Sequence, residues 1–90
     1  MKPADLRPGD RLDTVIGALV VHHDPYESFC DDAPQHSRVL VDVVVEKPGS
    51  FGDADRLPEA AGAAEFRWLG LMPLRYRLAF RPDTDVEVTR

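Results

Sequence analysis

A single cysteine, Cys30, stands in this 90-residue chain, so no internal disulfide can form. Exported domains of this size usually carry several bridges, so the scarcity predicts a reducing, cytoplasmic location. Long apolar runs are also missing: the longest, residues 15–21, falls far short of the roughly 20 residues that a membrane helix needs. The opening Met1-Lys2-Pro3-Ala4-Asp5 leads straight into charged sequence, unlike a signal peptide. Other absences concern chemistry. Gly49-Ser50-Phe51-Gly52 lacks the lysine and the strand–helix frame of a phosphate loop. Ser28, Ser37 and Ser50 sit in no nucleophile-elbow context, and the acidic residues do not follow the spacing of an EF-hand. The sequence therefore predicts a protein that is not an enzyme and that carries no cofactor.

What is present is a balance of 43% hydrophobic and 30% charged residues, that of an ordinary globular domain. Residues 1–90 read as one domain. Eight prolines and six glycines favour short elements joined by many turns over long helices. The formal charge of −5 argues against a general binder of nucleic acid or membrane surfaces, both polyanions. That charge is uneven. Residues 1–65 carry six basic and thirteen acidic side chains, a net of −7, whereas residues 66–90 carry five and three, a net of +2.

The pattern along the chain is that of strands. Leu6-Arg7-Pro8-Gly9-Asp10 is a turn, with proline presetting φ at its second position and glycine supplying a positive φ at its third. Residues 11–23 follow as a β-branched strand, apolar on both faces, that is either buried on both sides or bends at Gly17. Residues 24–37 form a long acidic loop. Residues 38–47 alternate cleanly, with Val39, Val41, Val43 and Val45 on one face and Arg38, Asp42 and Glu46 on the other, the mark of a half-buried strand. Residues 48–64 read as a flexible segment, with one short helix near 58–65 begun by Pro58. Residues 66–71 and 74–80 form a hairpin, and residues 86–89 a short final strand. The fold class is mainly β: a small five- to six-stranded barrel or sandwich, SH3-like or OB-like.

The opening Leu6-Arg7-Pro8-Gly9-Asp10 and the closing Pro82-Asp83-Thr84-Asp85-Val86-Glu87-Val88 resemble those of small SH3-like β-barrel proteins of actinobacteria and their phages. The resemblance covers about a quarter of the chain, at its two ends, and implies an SH3-like fold and a high-GC bacterial or phage origin. Most such proteins are uncharacterised, so it transfers no functional residue.

Three clusters carry candidate chemistry. His22, His23, Cys30 and His36 have metal-ligand side chains, yet on a strand adjacent histidines point to opposite faces, and the remaining gaps match no compact zinc site. No metal site is predicted. The acidic loop places Tyr26 and Phe29 among Asp24, Glu27, Asp31 and Asp32, so that rings could anchor a protein partner while charges steer it. The third cluster is a stripe of Arg67, Arg75, Arg77 and Arg81, with Trp68 beside it. Guanidinium groups alternating along a strand suit a phosphate, a carboxylate or an acidic partner, and Trp68 or Tyr76 could stack on bases. Both rings are expected inside the core, and the stripe has a structural alternative: pairing with Asp42 and Glu46 across the sheet. The reading that follows is a non-enzymatic interaction module, a phage or actinobacterial accessory protein that binds a protein partner or its own copies. The alternative is a nucleic-acid-binding barrel that uses the arginine stripe.

Overall fold

The computed structural model describes residues 1–14, 17–28, 37–48, 56–71 and 73–89. Six antiparallel strands make one sheet: β1 (Arg11–Thr14), β2 (Gly17–Val21), β3 (Tyr26–Ser28), β4 (Arg38–Pro48), β5 (Glu65–Leu71) and β6 (Leu74–Phe80). The strand order is β1-β2-β4-β6-β5, and β3 pairs with β4 beside β2. The chain is mainly β, as its alternation predicts, but the sheet is open and not a closed barrel. Closure would need β1 and β5 to pair, and they stand at opposite ends of the order.

β4 is the spine. Eleven residues at ~3.3 Å each span ~36 Å, against a longest extent of 40 Å for the molecule. One flank of β4 takes β6 from Val39 to Val44; the other takes β2 from Val43 to Pro48. That second arrangement leaves residues 38–40 with an open flank, where backbone groups need partners. Tyr26, Glu27 and Ser28 fill it, pairing with Leu40, Val39 and Arg38. The acidic loop expected over 24–37 thus contains a strand.

Two further expectations change. Residues 11–23 are two antiparallel strands, because the register pairs Arg11 with Val20 and Thr14 with Gly17. The chain reverses between Thr14 and Gly17, which the register sets opposite each other. The final strand shrinks to one bridge between Thr89 and Arg11, since Val86 leaves the sheet plane to enter the core.

One face of the sheet is buried. Leu12, Leu19, Val21, Val39, Val41, Val43, Tyr76, Leu78 and Phe80 meet Leu6, Leu57 and Val86 there. Among the described residues the cover comes from three short pieces: a 3-10 turn at Pro3–Asp5, a one-turn helix α1 (Leu57–Ala60) and the C-terminal segment. α1 is shorter than the 58–65 expected, and Ala61, Gly62 and Ala63 donate back to Leu57, Glu59 and Pro58 to close it. The Pro8-Gly9 turn forms as predicted. Gly9 has φ +94°, Asp10 N–H donates to Arg7 at 3.0 Å, and the Asp10 carboxylate accepts from Arg7 N–H at 2.9 Å. The N-terminal amino group donates to Asp85 at 2.8 Å and holds that carboxyl below its ordinary range. No helix among the described residues is long and apolar enough to cross a membrane.

Candidate interaction surface

The period-two geometry of β4, β5 and β6 sorts the charged and aromatic side chains by face. On the face opposite the core, the register sets Asp42 beside Arg77, Val44 beside Arg75 and Arg67 beside Arg77. On the core face it sets Phe66 beside Leu78 and Trp68 beside Tyr76.

The four predicted arginines separate into two kinds. Arg77 is engaged: its Nε and Nη2 donate to the two oxygens of Asp42 at 2.8 and 3.3 Å. This hydrogen bond raises the Arg77 pKa, and Asp42 is largely buried, so the pair is a fixed part of the sheet. Pairing with Asp42, set out above as the structural alternative, therefore holds for Arg77. It does not extend to Glu46, which accepts instead from Arg11 at 2.8 Å. Arg67 and Arg81 are exposed and make no ion pair among the described residues.

Arg75 is half-buried, and its Nε is enclosed without a hydrogen-bond partner among the described residues. Its guanidinium reaches over β5 at Gly70. A Cβ built on Gly70 would stand 2.8 Å from Nη2, so the glycine is the seat on which the guanidinium rests. The register shift between Trp68 and Gly70 puts Gly70 opposite Arg75. Sequence reasoning missed this. The signal was the lone glycine inside a strand pattern, which often marks a bulge or a close approach.

The aromatic residues also divide. Tyr76 is core as expected, at 2% exposure, but Trp68 is 57% exposed and Phe66 47%. Both rings project toward the core side, as alternation requires, but they lie on the last strand of the sheet. The edge of Phe66 meets Tyr76 with ring centroids 5.5 Å apart. Tyr26 lies on β3, exposed, with the Arg77 guanidinium 5.6 Å above its ring. Tyr26 is therefore drawn into the Asp42–Arg77 group and does not stand alone as an anchor. Phe29, Cys30 and His36 lie outside the described residues. His22 and His23 follow the end of β2, so strand geometry no longer separates them, and their rings touch with centroids 4.4 Å apart. Among the described residues no group of three or more His, Cys, Asp or Glu side chains could hold a metal ion.

At the far end of the sheet Asp13 pairs with Arg11 and Asp85 with the N-terminal amino group, each at 2.8 Å. An open cleft of about 480 Å³ beside β1 is lined by Asp13, Asp85 and Glu87 together with Met1, Val86 and Val88. The β1 end thus carries ion-paired carboxylates, and the edge at β5 is aromatic on one face and basic on the other. Comparison with protein-family models, with curated proteins and with solved structures gives no match to this chain.

Proposed function

We propose that this protein is a non-enzymatic interaction module whose docking surface is the edge strand β5. The observation that carries the reading is the exposure of Phe66 and Trp68 on the strand that ends the sheet. Aromatic rings bury 150–250 Å² each and dominate interface energetics, so two of them left to solvent on one strand favour a partner. The edge adds backbone groups that a partner can complete.

A protein partner is favoured over nucleic acid by the way the groups are sorted. A single strand tracking an arginine stripe needs guanidinium groups and stacking rings on one surface. Here Arg67 and Arg75 lie on one face of the sheet and Phe66 and Trp68 on the other. Among the described residues, the exposed ring that shares the arginine face, Tyr26, lies beneath the guanidinium of Arg77, itself held by Asp42. The accessory role in an actinobacterium or its phage belongs to this same reading and rests on the turn motifs alone.

The test is photo-crosslinking in extract of the source organism, with a photoreactive residue in place of Trp68 and, in a control protein, in place of the exposed Glu87. Crosslinks to a discrete partner from position 68 and not from position 87 are expected. Equal labelling from both positions, or none from position 68, overturns the proposal.

A further inference from the structure

We infer that β5 binds an extended peptide segment in which apolar and acidic residues alternate, and that the segment adds to the sheet as a further strand. This rests on the β5 docking surface proposed above and names its partner's chemistry. The inference follows from the two faces of one edge. A strand laid beside β5 sends successive side chains to opposite faces of the sheet, with directly opposed residues ~5 Å apart. Those on the core side meet Phe66 and Trp68, which are 47% and 57% exposed. Those on the other side meet Arg67, which is exposed, and the guanidinium of Arg75, which β6 sends across Gly70 toward the edge. Apolar groups suit the first row and carboxylates the second, so the segment must alternate with a period of two.

Three neighbouring facts sharpen the charge argument. The carboxylates on this face are already engaged: Asp42 by Arg77, Glu46 by Arg11, and Glu65 beside Arg38 with N···O 3.5 Å. None of these compensates Arg67 among the described residues. A second β5 paired antiparallel about Arg67 would oppose like charges, which is unfavourable, whereas pairing about Phe66 would set Arg67 opposite the exposed Glu65. A second β5 edge is thus one competing occupant. The β1 edge of another copy, with exposed Glu87, is a second, and the test includes both.

Trp68 is the only tryptophan in the chain, so its fluorescence reports the event directly. The probe is a capped peptide of alternating valine and glutamate, as long as β5. The controls are its valine–lysine analogue and a block peptide with the valines and glutamates segregated. Saturable blue-shifted emission is expected with the valine–glutamate peptide alone, and it should weaken as salt rises past ~0.15 M, where exposed charges are screened over ~8 Å.

Phe66→Ala should weaken binding by about 10- to 30-fold, the effect of removing an aromatic anchor. Arg67→Ala should weaken it by about two- to fivefold, and Arg67→Glu should move preference toward the lysine analogue. Of two peptides N-methylated on alternate residues, one should lose binding and the other keep it, because only one set of N–H groups faces β5. Binding of all three unmodified peptides alike, or of none, overturns the inference. So does a blue shift that grows with protein concentration in the absence of peptide, which assigns the edge to a second copy, or one produced by an oligonucleotide. If the peptides fail while position 68 still crosslinks a partner, the peptide chemistry is wrong and the docking surface stands. If that crosslink is also absent, both fall.

Discussion

Tyr76 and Trp68 are register partners on the same face of the same sheet, yet one is 2% exposed and the other 57%. The covering layer makes the difference. The 3-10 turn, α1 and the C-terminal segment bring Leu6, Leu57 and Val86 onto the core residues of β1, β2, β4 and β6. No β5 side chain among the described residues joins that cluster. Side chains that alternation assigns to the core there face solvent instead, and a core pattern becomes a candidate binding surface.

The contrast can be broken from the core side, where the largest effects are expected. Leu78 is fully buried next to Phe66, so Leu78→Ala should cost about 2–5 kcal/mol in chemical denaturation, through lost transfer energy and the cavity left behind. Trp68→Ala should change stability by less than ~1 kcal/mol when unfolding is followed by far-ultraviolet circular dichroism, because an exposed ring contributes little to folding. A core-sized loss at Trp68 would show that the covering layer extends over β5.

The two kinds of arginine offer the next test. Asp42→Ala leaves the Arg77 guanidinium without its carboxylate and should cost about 1–3 kcal/mol. Arg67→Ala should be neutral within ~0.5 kcal/mol, since that side chain is exposed. Equal costs at the two positions would mean that Arg67 is as structural as Arg77. Gly9→Ala should cost about 1–2 kcal/mol, because φ +94° crowds any Cβ, and it would strain the turn that feeds β1.

The smallest effect is expected at Gly70. The atom that an added Cβ would meet is the far end of the Arg75 side chain, which can swing away. Gly70→Ala should therefore leave the unfolding midpoint nearly unchanged while freeing Arg75 from β5. Side-chain nuclear magnetic resonance of the arginine Nε–H groups checks this: the Arg75 signal should move and the Arg77 signal should not. Loss of the fold would place the glycine's role in the backbone and not in seating Arg75.

Strands and faces were largely legible before the structure. Val39, Val41, Val43 and Val45 marked β4, and Tyr76, Leu78 and Phe80 marked the core face of β6, because period two is a local property that each residue carries in its own polarity. The turns at Pro8-Gly9 and after Leu71 were legible for a similar reason: proline fixes φ and glycine admits a positive one, both local effects. The division of residues 11–23 was half legible, since Gly17 and the two apolar faces allowed a bend. Nothing local revealed β3. Tyr26, Glu27 and Ser28 form a strand because β4 overhangs β2 and offers them backbone partners, and that overhang is a matter of register between distant segments.

Of the candidate site, the sequence by itself supplied the residue types and their faces: arginines on one side of the hairpin, aromatic rings on the other. It also determined that the chain would be a β domain with an acidic first two-thirds and a basic last third. Only the tertiary structure decided which strand ended the sheet, and hence that Trp68 stayed exposed while Tyr76 was buried. It alone decided that Asp42 would take Arg77 and that Glu46 would take Arg11. The physical reason is that alternation specifies a face, whereas burial and pairing depend on what other parts of the chain bring to that face.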